Sequence, residues 1–306
     1  MKQRYSDTDA LRRKLAVMKT KDFMKQVWAN KMARVGVIIV AFFTLMAIFG
    51  PIVMPFRTTT MAASREFIFN PPSWEHVLGT DNLGRDVLAY LVNGSRNSLI
   101  VGLSATVITI VLGTLIGVSS GYIGGWVDNI LMRITDFFLV LPWLPFCMVL
   151  AAILGNSIWN IILVIGLTGW SGTARVIRAQ TLSVKEQQYV ERMVSVGAKK
   201  GHIMWKHILP NVFPLVFSEA ILIVSSSILT ETSLAFLGLG DPTNPSWGTM
   251  LNDAFDTDAM TIGAWWFFIT PGVCVILVAL GFTLMGYAFD EILNPKLKER
   301  QKEVLI

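Results

Sequence analysis

Glu186–Pro210, EQQYVERMVSVGAKKGHIMWKHILP, is a long polar interval between apolar segments of the chain. Residues 171–211 carry seven lysines or arginines and two glutamates, and so basic a loop is typical of the cytoplasmic side of a membrane. Apolar residues recur at helical spacing from Tyr189 to Val194, and Gly197 is a natural stop. The pattern predicts a short helix, a break, and a second helix that leads back into the membrane.

The composition of the 306 residues indicates a polytopic membrane protein, since 53% are hydrophobic and 15% charged. The net charge of +5 does not indicate a nucleic-acid partner, because the basic residues fall between apolar segments. Cys147 and Cys274 lie inside apolar runs, so we expect packing roles and no metal site. The chain has no GxxxxGK[ST] loop, so we expect no cofactor in it and expect ATP and magnesium on another chain.

Six apolar segments are candidates to cross about 30 Å of hydrocarbon, which takes about 20 residues. They are residues 35–54, 99–120, 130–154, 158–174, 212–229 and 265–287. Residues 1–34 hold ten lysines or arginines and three aspartates, whereas 232–264 hold four aspartates and no basic residue. The predicted fold class is therefore an all-α membrane protein of six transmembrane helices, with both termini cytoplasmic. Pro142 and Pro145 predict a broken backbone in the third helix.

The central polar interval resembles the "EAA" loop of importer-type ABC permeases, which docks on the ATP-hydrolysing subunit. Glu191, Gly197 and the closing Leu209-Pro210 match that signature, whereas Arg192 and Met193 replace its two alanines. The resemblance implies that the loop couples the chain to an ATPase. The residues it points to are Tyr189, Glu191, Gly197, Ala198, Leu209 and Pro210.

Two further blocks narrow the resemblance. GTDNLGRDVL at 79–88 and ETSLAFLGLG at 231–240 resemble the second membrane subunit of dipeptide and oligopeptide importers, with nickel importers as close cousins. This family implies a homologous permease subunit, two ATP-binding subunits, an extracytoplasmic solute-binding protein and a peptide substrate, all at a bacterial cell membrane. The chain then divides into four parts. Residues 1–34 are a cytoplasmic amphipathic segment, and residues 35–98 are the first span with its outward loop. Residues 99–290 form a core that contains the coupling loop 171–211, and residues 291–306 are a cytoplasmic tail.

Charged residues elsewhere are candidates for the solute path. In the predicted outward segments, Asp81, Arg85, Asp86 and Glu231 either contact the binding protein and gate the path or pair with each other to fix loop shape. Glu219, inside an apolar run, either lines the inner part of the path or reaches out of the membrane at the inner interface.

Other protein classes remain open on the residues alone. The basic interval also fits an ordinary surface loop, and the segment 1–34 fits either a helix on the membrane surface or a solvated tail. A secondary transporter would show inverted repeats and ion-binding groups within the membrane, and neither is clear here. A membrane scaffold would keep the docking loop without a solute path.

Overall fold

The computed structural model describes residue 18 and residues 21–55 and 67–293, and across these ranges the protein is helical, with one isolated β-bridge. The helices are α1 (Lys31–Val53), α2 (Val87–Ile123), α3 (Gly125–Val140), α4 (Trp143–Leu154), α5 (Ile158–Thr168), α6 (Trp170–Lys185), α7 (Gln188–Ser195), α8 (Lys200–Ile203), α9 (Leu209–Leu234), α10 (Trp247–Asp256) and α11 (Trp265–Leu293). Two π-helical turns extend α9 at its two ends, Met204–Ile208 and Ala235–Leu239.

The membrane-spanning architecture confirms the predicted fold class. Within the described ranges, five helical segments are long and apolar enough to cross a membrane: α1, α2, α5 with α6, α8 through α9 with its π-turns, and α11. A sixth span results if α3 and α4 are one segment, bent by 88° between Val140 and Trp143. The predicted break in the third span is therefore confirmed, and Pro142 lies at the bend because its ring is incompatible with a continuing helix.

Helix α2 begins twelve residues before the predicted start at Leu99. Asp86 caps it, since its Oδ1 accepts a hydrogen bond of 2.8 Å from the Ala89 backbone N–H. Polar side chains within its first turns also find partners, and the Asn93 amide donates to the Met54 carbonyl oxygen at 2.7 Å. Residues 87–98 are therefore helical, although they are too polar to be recognised as part of a membrane span.

The fourth span continues through α6 to Lys185, where the sequence predicted a loop from residue 171. The reason is a stripe of glycines on α2 at 113, 117 and 121, against which α6 packs. A Cβ atom at Gly117 would lie 2.6 Å from the Ala174 carbonyl oxygen, so the two backbones touch. Gly121 extends this close packing by one turn, because a Cβ atom there would lie 2.9 Å from the Thr181 side chain.

The bundle has two chemically different ends. We call the end that carries 185–207 the basic end, and the end that carries 67–86 and 240–264 the acidic end. At the basic end, residues 21–29 are helical and the Phe23 ring lies 5.5 Å from that of Phe289 on α11. Residues 1–17, 19 and 20 of the predicted amphipathic segment 1–34 and residues 294–306 of the tail lie outside the described residues.

Candidate functional site

Helix α7, within the predicted coupling loop, ends at Gly197 in a Schellman motif. The Ala198 backbone N–H donates to the Met193 carbonyl at 3.1 Å, and the Gly197 N–H donates to the Val194 carbonyl at 2.9 Å. This closure needs a left-handed residue, and Gly197 has φ of 75°. The stop predicted from the sequence is therefore built into the backbone.

Helix α7 is anchored in the bundle and also exposes apolar side chains. Val190 is 1% exposed and packs, together with Met193 and Ala198, into an apolar cluster that includes Ile177 and Ile203. Tyr189 and Val194 of α7 are exposed, and so is Val196 just past its end. Since residues 186 and 187 alone separate α6 from α7, the exposed face is held by a short connection.

The other coupling-loop candidates flank this surface. Glu191 is exposed in the first turn of α7, where a carboxylate also complements the helix dipole. Leu209 is half-buried in the same cluster as Val190, and Pro210 is exposed as the second residue of α9. The chain passes through Leu209 and Pro210 as continuous helix, because a π-turn joins α8 to α9.

A cavity of about 250 Å³ lies at the bend between α3 and α4. Its wall combines aromatic and apolar side chains with hydroxyl groups and two glycines, and it contains no charged residue. The hydroxyl-bearing residues are Thr109, Thr168, Ser171, Ser226 and Ser227. Thr168 also accepts a hydrogen bond of 3.1 Å from the Trp143 indole, which fixes the aromatic edge of the cavity. The broken backbone at Pro142 and Pro145 pointed to this place in the third span, but sequence reasoning missed the hydroxyl residues that line the cavity, although hydroxyl residues inside apolar spans were a visible signal.

At the acidic end, Asp81 and Arg85 form a buried centre. The Asp81 carboxylate accepts hydrogen bonds of 2.8 Å from the backbone N–H groups of Leu83 and Arg85, and it pairs with the Arg85 guanidinium at 2.5 Å. Arg85 also lies 3.4 Å from Asp253, which accepts a hydrogen bond of 3.0 Å from the Tyr90 hydroxyl. Burial raises the pKa of Asp253, and Tyr90 and Arg85 partly offset this. The network joins residues 81–90 to α10.

Asp86 and Glu231 have separate structural positions. Asp86 caps α2 and lies 2.8 Å from the His76 imidazole. Glu231 is 2% exposed and accepts a hydrogen bond of 3.2 Å from the Ser98 hydroxyl. The prediction that a loop begins at Glu231 is wrong, because α9 and its π-turn continue to Leu239 and bury this residue in the bundle.

Glu219 lies on α9 and is half-buried, with Asp290 of α11 as a charged neighbour. It precedes Ile223, which lines the cavity, by one helical turn, but it is not itself part of the cavity wall. Its role in the solute path stays a prediction.

A multi-span bundle with a cavity at a broken span and a short helix fixed at one end is typical of the membrane component of a transport system. The chain belongs to the family described as binding-protein-dependent transport system inner membrane components, whose model matches residues 110–299. A second model, the N-terminal transmembrane domain of oligopeptide transport permease C, matches residues 19–72. The chain is thus a multi-pass importer permease of the inner-membrane type.

Relatives match over nearly the whole chain. The oligopeptide transport system permease protein OppC of Bacillus subtilis strain 168 is 36% identical, over 91% of this chain and 90% of that protein. The dipeptide transport system permease protein DppC of the same strain is 35% identical, over 91% and 86%. The di/tripeptide transport system permease protein DppC of Pseudomonas aeruginosa strain UCBPP-PA14 is 35% identical, over 91% and 92%.

Proposed function

We propose that this chain is the permease subunit of an ATP-driven importer of dipeptides or oligopeptides, and that it encloses the solute path together with a homologous membrane subunit. Two ATP-binding subunits, which hold the ATP and magnesium, bind at the basic end, and one of them docks on α7. A solute-binding protein delivers peptide at the acidic end, so the basic end and both termini face the cytoplasm. The chain itself hydrolyses nothing.

The observation that carries the proposal is that α7 is anchored in the bundle and also exposes apolar side chains. A helix of eight residues has little stability of its own, so its burial through Val190 and its closure at Gly197 hold it in place. The exposed apolar surface at Tyr189, Val194 and Val196 is then available to a partner. The exposed Glu191 beside it supplies charge complementarity to a basic cleft.

The cavity at the α3–α4 bend supports a path for peptides. Peptides of different sequence share only their backbone amides and carbonyls, and the hydroxyl oxygens of Ser226 and Ser227 in the cavity wall can accept hydrogen bonds from such amides. A wall without charge selects no particular peptide side chain. The relatives are named as oligopeptide, dipeptide and di/tripeptide permeases, and these names favour the same substrate class.

The transport mechanism that we propose follows from the links between α7, α6 and α2. Closure of the ATP-binding subunits displaces α7, and the two-residue link passes that displacement to α6. Because α6 is packed backbone to backbone on α2, the two spans rock together and the cavity alternates between the two sides. At the acidic end, Asp81, Arg85, Asp86 and Glu231 fix the surface that receives the binding protein and the outer gate.

Glu191→Lys is expected to remove the ATP-binding subunits from the complex. The tagged chain is extracted in mild detergent, and the proteins that co-purify are identified by mass spectrometry. The native chain should retain a homologous permease and two ATP-binding chains, whereas the variant should retain the permease alone, because the new charge faces a surface built for a carboxylate.

Glu186→Lys is the matched control, because Glu186 is an exposed glutamate of the same loop that precedes α7. It should leave the complex intact. Native protein that purifies alone, or as a homo-oligomer without ATPase, would contradict the importer proposal. A complex that survives Glu191→Lys would contradict only the docking role of Glu191.

Glu219→Gln is expected to change the pH dependence of peptide uptake. A carboxyl group one helical turn from the cavity can carry a charge, whereas glutamine cannot, so uptake by the variant should respond less to pH. Uptake of labelled peptide into membrane vesicles, measured at several pH values, is the test. Identical profiles for the two proteins would remove Glu219 from the path.

A further inference from the structure

Helix α3 is held weakly by apolar contacts although it forms the first half of the broken span. Of its sixteen residues only Thr135 is buried, and the structure describes all of them. It begins at Gly125, which has a positive φ like the preceding Gly124, and a Cβ atom at Gly125 would meet nothing within 4 Å. At its other end the backbone bends by 88° before α4. Its position must therefore depend on side-chain contacts along its length.

Two ion pairs attach α3 to α6. The Arg178 guanidinium binds both oxygens of Asp128, with Nε at 2.7 Å and a terminal nitrogen at 2.6 Å, and this bidentate geometry fixes direction as well as distance. The Ser120 hydroxyl at the end of α2 donates a third hydrogen bond to Asp128 at 2.5 Å. Further along α3, Asp136 accepts a hydrogen bond of 2.6 Å from Arg175.

The Asp128–Arg178 pair is the more buried of the two. The side chains of Arg178 and Asp128 are 32% and 17% exposed, whereas those of Arg175 and Asp136 are 54% and 51% exposed. The Asp128–Arg178 pair is also bidentate, whereas a single hydrogen bond joins Asp136 to Arg175. The Asp128–Arg178 pair is therefore the contact that can hold α3 against a load, and the Asp136–Arg175 pair assists it.

Each partner of this contact leads to a different part of the site. From Arg178, α6 continues for seven residues to Lys185 and then connects through two residues to α7. From Asp128, α3 continues to Val140, next to Leu141 in the wall of the cavity. The Phe138 ring also lies 5.3 Å from that of Trp170, the first residue of α6. The ion pair thus closes a continuous path from α7 to the bend.

We propose that Asp128 and Arg178 are positioning residues that make α3, and with it the cavity wall at the α3–α4 bend, move with α7 during transport. The inference rests on the proposed function and extends it from the docking helix to the solute path. Without the pair, α6 would still respond to the ATP-binding subunits, but α3 would pivot at Gly124 and Gly125 and the cavity would not follow.

The test is the number of peptides imported per ATP hydrolysed by the purified complex in proteoliposomes. Asp128→Asn and Arg178→Gln are each expected to lower this ratio about tenfold, because each removes a charge-assisted contact while its partner stays in place. ATP hydrolysis should continue at a rate within about threefold of the native complex. The exchanged double variant, Asp128→Arg with Arg178→Asp, is expected to recover most of the ratio, since the pair is restored with its charges reversed.

Arg133→Gln is the matched control, because Arg133 is an exposed arginine of the same helix, and its ratio should equal that of the native complex. Should Asp128→Asn prevent assembly, Arg178→Lys, which keeps the charge but gives up the bidentate geometry, should show a smaller loss of the ratio. Native ratios in the single variants, or a double variant no better than either, would overturn the proposal. A native complex that imports no peptide would contradict the proposed function instead.

Discussion

Gly197→Leu is expected to abolish peptide uptake while leaving the protein in the membrane. A leucine at φ of 75° is strained by roughly 1–2 kcal/mol, and an isolated eight-residue helix has no reserve to absorb that cost. The Schellman closure would open, and the exposed face of α7 would lose its fixed direction. Uptake of labelled peptide by cells, normalised to the amount of chain in the membrane fraction, measures the effect.

Gly201→Leu provides the matched control for side-chain bulk. A Cβ atom at either Gly197 or Gly201 meets nothing within 4 Å, but only Gly197 has a positive φ. Uptake should therefore survive at Gly201. Normal uptake in the Gly197 variant would contradict the coupling role of α7, and equal loss in both variants would assign the effect to bulk at the docking surface.

Gly117→Leu is expected to break the packing of α6 on α2. The new Cβ atom would lie 2.6 Å from the Ala174 carbonyl oxygen and 3.0 Å from the Arg178 backbone nitrogen. These are backbone atoms, so the helices must separate, and overpacking of this kind costs about 1–3 kcal/mol or more. We expect the purified complex to unfold at least about 2 °C lower, since 1 kcal/mol lowers the unfolding temperature of a domain of 150–250 residues by roughly 2–4 °C.

The control for this variant is Gly272→Leu on α11. Gly272 is also a helical glycine of a membrane span, but a Cβ atom there meets nothing within 4 Å. Its unfolding temperature should match the native complex in a thermal scan followed by intrinsic fluorescence. If both variants unfold at the same temperature, the glycine stripe does not set the distance between α2 and α6.

Much of the fold could be predicted from the sequence because the thickness of the bilayer core sets the length of a helix that crosses it. Apolar runs identified the spans, the aspartate-rich and lysine-rich segments separated the two ends, and Pro142 marked the bend that is observed. The stop of α7 at Gly197 was equally visible, since a glycine after a short apolar repeat is a local signal. Each of these features is decided by neighbours in the sequence.

The contacts that organise the site could not be predicted in the same way. Arg178 pairs with Asp128 across 50 residues, and Arg85 meets Asp253 across 168, so no spacing in the sequence connects them. The hydropathy pattern also placed the end of the fourth span too early. It counted Arg175 and Arg178 as loop residues, although both have acidic partners that allow them to lie on a continuous helix.

Helix α2 reaches water at both of its ends. Its 37 residues extend about 55 Å, whereas the hydrocarbon layer is about 30 Å thick. Its first turn is fixed by Asp86 and the acidic network, and its last turn places Tyr122 in the same cluster as Val190 of α7. A single continuous helix therefore connects the acidic end of the bundle to the basic end. A displacement of α2 along its axis at one end also moves the residues at its other end.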